Sequence, residues 1–111
     1  MINPVALDHL VLRTDRYREL IEFYCDVLGC SVERTLSESF GLTQLRAGSA
    51  LIDIVDVDGE LGKPGGPPPG ETGNNLDHFC LQIEPFEEQA LQAYPVSYTH
   101  LRAHETNNSI S

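Results

Sequence analysis

The spacing of apolar residues changes abruptly several times along this chain. Ala6-Leu7-Asp8-His9-Leu10-Val11-Leu12-Arg13 is short, β-prone and mostly apolar, which predicts a strand over 6–13. Leu20, Ile21, Tyr24, Val27 and Leu28 then recur at helical spacing and form one apolar stripe. Thr14 or Asp15 suits the start of that helix, where free backbone N–H groups need an acceptor. Gly29 stands where a left-handed residue closes a helix. Three strands are expected next, around 31–36, 40–47 and 50–57. The last of them, Ala50-Leu51-Ile52-Asp53-Ile54-Val55-Asp56-Val57, is nearly continuous in apolar residues and is predicted to be central.

The pattern stops at residue 58. Gly59, Gly62, Gly65, Gly66, Gly70 and Gly73 share the next stretch with Pro64, Pro67, Pro68 and Pro69, a mixture that predicts a long loop over 58–75. Such loops in compact domains are usually functional or linking. A second strand is predicted over 76–83, with Cys80 as a buried small hydrophobe in it. A helix is predicted at about 85–94, with Pro85 in its first turn. Leu7-Asp8-His9-Leu10-Val11-Leu12 and Leu76-Asp77-His78-Phe79-Cys80-Leu81 match at Leu, Asp, His and the final Leu. Each copy runs into a helix, so the chain reads as one strand-helix unit used twice.

Residues 95–111 break this order. Val96-Ser97-Tyr98-Thr99-His100-Leu101-Arg102-Ala103-His104-Glu105-Thr106 resembles the translation of a sequencing-library adapter and is read as a non-native tail. His100 and His104, four apart, would mimic a metal site on a helix and are set aside for that reason. The second copy is then shorter than the first. Its missing strands predict unpaired sheet edges, with marginal stability or a homodimer that completes the sheet in trans.

With 111 residues the chain reads as one modest domain, and 41% apolar residues exclude a disordered one. No apolar run approaches the roughly 20 residues of a membrane helix, and Met1-Ile2-Asn3-Pro4 lacks the features of a signal peptide. A net charge of −10 argues against nucleic acid and against anionic membrane surfaces. Three cysteines without a CxxC fit a reducing compartment, and a cytoplasmic location is expected.

Candidate chemistry rests on few residues. His9 and His78 hold equivalent places in the two copies, so they can converge on one pseudo-two-fold centre. Imidazole is the commonest neutral metal ligand, while hydrogen-bonded core or edge histidines are the alternative. Asp53 lies inside the most apolar strand, where a charge must be paired or bind a metal. Arg13 or Arg46 could pair with it, or one face of the strand could be wet. Asp53, Asp56, Asp58 and Gly59 only hint at a calcium loop. A frame starting at Ile54 lacks the first acid and puts Gly65 where glutamate is required. No GxxxxGK[ST] phosphate loop is present. Arg16, Arg18 and Glu22 read as a solvated helix face, and Tyr17, Phe23 and Tyr24 as packing.

Leu7-Asp8-His9-Leu10-Val11-Leu12, then Phe23-Tyr24-Cys25-Asp26-Val27-Leu28-Gly29, then Leu76-Asp77-His78, resemble the vicinal oxygen chelate superfamily over about residues 5–94. That group spans glyoxalase I, bleomycin-binding proteins, fosfomycin-resistance thiol transferases and extradiol dioxygenases. The resemblance implies an α+β fold of tandem βαβββ modules. The first module is placed at 1–57, the inter-module loop at 58–75, and the start of an incomplete second module at 76–94. It implies a divalent metal (Zn, Ni, Co, Mn or Fe) held by His9, Asp53 and His78. Asp53 falls where the fourth strand usually carries glutamate, and is both ligand and candidate catalytic base. The fourth ligand, normally a glutamate near the C-terminus, falls beyond Tyr94 and is assigned to no residue here. The implied activity is that of a lyase or isomerase on a small substrate with vicinal oxygens. A metal-free small-molecule binding protein and an extradiol-type dioxygenase are the alternatives.

Overall fold

The structure is a computed structural model that describes residues 2–71, 73, 76–82 and 109–110. The chain divides into two compact units, Met1–Asn75 and Leu76–Ser111. In the first, β1 (His9–Thr14) leads to α1 (Tyr17–Glu22), which continues as a π-helical turn over Phe23–Val27. β2 (Ser31–Thr35), β3 (Leu42–Ala47) and β4 (Ala50–Asp56) follow. The sheet order is β1-β4-β3-β2, with β1 and β4 parallel and the other pairs antiparallel. β4 therefore lies inside the sheet, as its run of apolar residues predicts.

The order follows from the connections. β2, β3 and β4 are joined by short turns and pair antiparallel, whereas a parallel partner needs a crossover, which α1 provides. α1 covers one face of the sheet. Leu12, Leu20, Phe23, Tyr24, Leu45, Ile52 and Ile54 are buried there. Phe23 and Tyr24 meet edge to face, ring centres 5.7 Å apart. Tyr17 adds a polar tie from the helix to β3, its hydroxyl 2.5 Å from Oγ1 of the buried Thr43.

The helix departs from its expected form at both ends. Arg16 occupies the N-cap without a side-chain bond, and Thr14 acts two residues earlier, its Oγ1 accepting the Arg16 N–H at 2.8 Å. At the other end, the π turn widens the spacing. The Leu28 N–H donates to the Phe23 carbonyl at 3.3 Å, and the Cys30 N–H to the Tyr24 carbonyl at 2.9 Å. The expected stripe shifts accordingly: Phe23 joins Leu20 and Tyr24 in the core, while Ile21, Val27 and Leu28 are only half-buried. Gly29 closes the turn at φ +77°, the left-handed conformation its position predicts.

The first half of the glycine- and proline-rich segment packs onto this unit. The Val57 N–H donates to the Thr14 carbonyl, and the Glu60 and Leu61 N–H groups to those of Ser39 and Phe40. A single 3-10 turn forms over Lys63–Gly65. The Arg13 guanidinium reaches the carbonyls of Gly62, Gly66 and Pro67 at 3.0, 2.7 and 3.3 Å. Gly62 is needed for close approach, since a Cβ there would sit 2.0 Å from the Asp56 carbonyl oxygen.

In the second unit β5 (Leu81–Gln82) pairs antiparallel with β6 (Ser109–Ile110). The strand expected over 76–83 is thus confined, among the described residues, to its last part. His78 precedes it, and Cys80 is exposed rather than buried. Apolar side chains favour a strand only where a partner supplies hydrogen bonds, and the described pairing reaches only Leu81 and Gln82. The helix expected at 85–94, and His100 and His104, lie outside the described residues. No helix among the described residues is long and apolar enough to cross a membrane.

Candidate metal centre

Sheet register brings two of the predicted site residues together. His9 stands opposite Leu51, and Val11 opposite Asp53. Side chains alternate along a strand, so His9, Val11, Leu51 and Asp53 share one face of the sheet. Gln44, opposite Asp53 on β3, joins them. This is the face away from α1. It carries His9, Gln44 and Asp53, while Leu12, Ile52 and Ile54 take the other.

Asp53 is 7% exposed, yet its Oδ1 is buried and accepts no hydrogen bond among the described residues. Leaving such an acceptor unsatisfied costs about 1–3 kcal/mol. The two arginines considered for it have other engagements. Arg46 donates Nε–H to Glu33 at 3.2 Å, and Arg13 spans the loop carbonyls named above.

His9 is half-exposed, and its Nδ1 lies 2.8 Å from Asp8 Oδ2. Two carboxylates raise its pKa above the usual 6.5, Asp8 through that hydrogen bond and Asp53 through its charge, against a smaller opposing effect of desolvation. The pull of Asp53 on His9 is what the shared face predicts. In the second unit His78 repeats the local geometry, with Nδ1 2.5 Å from Asp77 Oδ2.

The donor set suits a divalent cation. It offers a buried carboxylate oxygen with no hydrogen-bond partner among the described residues and an imidazole whose Nε2 is left over once Nδ1 is bonded. Among the described residues no three His, Cys, Asp or Glu side chains are grouped closely enough to enclose a metal ion. His9 and Asp53 make a pair, and His78 belongs to the other unit. Asp56 and Asp58 serve a turn instead, the Asp58 N–H donating to Asp56 Oδ1 at 2.9 Å.

Two residues with a place in this geometry escaped sequence reasoning: Asp8 and Asp77. Their signal was available, since each precedes its histidine in both copies of the repeat. Cys25 and Cys30 are half-buried thiols held up by burial, Cys30 to about 11, and take no part in the site.

The family described as Glyoxalase/Bleomycin resistance protein/Dioxygenase superfamily matches residues 6–108. Among solved structures, a lactoylglutathione lyase from Agrobacterium tumefaciens is similar at 21% identity with a TM-score of 0.56, over 92% of this chain and 79% of that one. That likeness is one of fold. No curated protein matches the chain.

Proposed function

The chain belongs to the Glyoxalase/Bleomycin resistance protein/Dioxygenase superfamily, and on that footing we propose that it carries the site of a glyoxalase-like metalloenzyme of lyase or isomerase type, acting on a small substrate with two adjacent oxygens. The observation that carries this reading is Asp53, whose buried Oδ1 has no hydrogen-bond partner among the described residues and which shares a sheet face with His9. The lyase in the structural neighbour's name supports the reaction class.

His9, Asp53 and His78 would hold a divalent ion, Zn, Ni, Co, Mn or Fe. Such an ion supplies positive charge where negative charge develops on the substrate oxygens. Asp53 is both a ligand and the base that moves a proton between neighbouring substrate atoms. Its burial among apolar neighbours keeps water from competing for that proton. In this proposal the modules are 1–57 and 76–94, joined by 58–75, with 95–111 a non-native tail. The protein acts in the cytoplasm on a small molecule, as a homodimer where the second module needs completing. Turnover by residues 1–111 is then expected to be low and metal binding weak, so uptake is measured in equilibrium with excess metal.

Elemental analysis of the purified chain after dialysis against Co(II) should find one ion per chain, lost in His9→Ala and weakened in Asp53→Ala. Uptake that survives both substitutions would end this reading. Retention of metal by Asp53→Ala alone would favour a site of two histidines and a different acid.

A further inference from the structure

Each copy of the repeat carries an acid that metal ligation by histidine leaves unexplained. His9 Nδ1 lies 2.8 Å from Asp8 Oδ2, and His78 Nδ1 lies 2.5 Å from Asp77 Oδ2. The same ring nitrogen meets the same carboxylate oxygen in both units. Yet His9 opens a six-residue strand and His78 lies outside any strand, so the sheet does not impose the contact. An ionised carboxylate has only lone pairs to offer, which makes Nδ1 the donor in both pairs. A neutral imidazole with its proton on Nδ1 has its free lone pair on Nε2, and only that atom can bind a cation.

Folding gives little reason for these pairs. The side chains are 86% exposed for Asp8 and 47% for His9, and 95% for Asp77 and 70% for His78. Exposed ion pairs contribute little or nothing to stability. What such a pair can do is fix a ring. Histidines on metals usually donate their second N–H to a carboxylate or carbonyl, which sets the tautomer and makes the ligating nitrogen more basic.

We infer that Asp8 and Asp77 are positioning residues that hold His9 and His78 in the Nδ1–H tautomer and present Nε2 to the cation. This rests on the metal-site reading above. Neither acid touches the cation; each acts through its histidine. The role requires only a side-chain acceptor, because the backbone of Asp8 has its own task, its carbonyl accepting the Leu51 N–H at 2.9 Å.

The test uses the full chain, labelled with nitrogen-15 and free of metal, at a pH above the imidazole range. Two-bond nitrogen–proton spectra report which ring nitrogen carries the proton, with signals assigned through His9→Gln and His78→Gln. In the wild-type chain both rings should show the Nδ1–H form. Asp8→Ala should move His9 toward the Nε2–H form that free imidazole side chains prefer and leave His78 unchanged. Asp77→Ala should do the reverse, and Asp8→Glu, which keeps an acceptor, should restore most of the effect. Titration with Co(II) is the second readout. Asp8→Ala should weaken affinity roughly ten- to a hundredfold at unchanged stoichiometry. If the wild-type chain takes up Co(II) but the Asp8→Ala tautomer or affinity does not move, the inference fails and the metal site stands. If the wild-type chain takes up no Co(II), the site reading fails and the inference with it.

Discussion

The two faces of the β1–β4 sheet do opposite things with the same strands. Toward α1, β4 sends Ile52 and Ile54 into a layer closed by Leu12, Leu20, Phe23, Tyr24 and Leu45, all nearly without exposure. Away from α1, the intervening Asp53 is just as well shielded but its Oδ1 accepts no hydrogen bond among the described residues, beside an exposed Val11 and a half-exposed His9. A strand has a period of two, so one run of residues can supply a core on one side and a polar constellation on the other. The helix-covered face stabilises the module. The other face costs stability where it holds a desolvated carboxylate, and it is the face on which a ligand could repay that cost.

The contrast can be broken most forcefully from the core side. Ile54→Ala should lower unfolding free energy by about 3 kcal/mol, measured by urea denaturation of the metal-free chain. A loss below about 1 kcal/mol would mean that the helix-covered layer is not the main support. On the other face, Asp53→Asn should raise the stability of the metal-free chain by about 1–2 kcal/mol, since it removes a buried carboxylate whose Oδ1 has no hydrogen-bond partner among the described residues. The same variant should bind Co(II) less well. Stability and metal affinity moving together would contradict the division of labour. Tyr24→Phe probes a flaw on the packed face, because the phenol oxygen is buried and has no hydrogen-bond partner among the described residues. Burial also pushes its pKa upward. Removing that hydroxyl should stabilise the chain by about 1 kcal/mol, seen as a higher Tm, and a destabilised variant would point to a partner.

Two smaller effects sharpen the picture by pH. Burial, then the neighbouring Cys25, lifts Cys30 from 9.0 to about 11. Iodoacetamide at pH about 8 should therefore modify the exposed Cys80 first and Cys30 slowly, as mass spectrometry of digests would show. Early labelling of Cys30 would mean that the π turn opens readily. For His9 the pKa is raised, so its contribution to stability is complete below pH 6.5 and fades as pH climbs through the raised value. The expected change is small, because the ring is half-exposed. It should shrink in Asp8→Ala, where the principal cause of the shift is gone and the charge of Asp53 remains.

Much of this contrast was legible in the residues themselves. The continuous apolar run around Asp53 marked β4 as interior, because only a strand flanked on both sides can bury Ile52, Asp53, Ile54 and Val55 together. Gly29 marked the helix end, since a left-handed residue there excludes most side chains. The fold and the family followed from the repeat and the Phe23-Tyr24…Leu28-Gly29 helix end. The π turn was not legible: apolar spacing cannot report a change from one hydrogen-bond period to another within a single turn, and the stripe it drew includes Ile21, Val27 and Leu28, which are only half-buried. The second strand was overextended because β-propensity is local while pairing is not, and Phe79 and Cys80 lie outside the described pairing. The Nδ1 contacts of Asp8 and Asp77 involve side-chain torsions, which no spacing rule reaches, although the repetition of both acids was visible.

The parallel pairing of β1 with β4 joins the first strand of the module to its last. The hairpin strands β2, β3 and β4 can zip together locally, but β1 must close a loop spanning nearly the whole module before its hydrogen bonds form. During synthesis, then, His9 leaves the ribosome early and waits. It gains a place beside Asp53 only after β4 has emerged, so assembly of this half of the proposed site is timed by the last strand of the module.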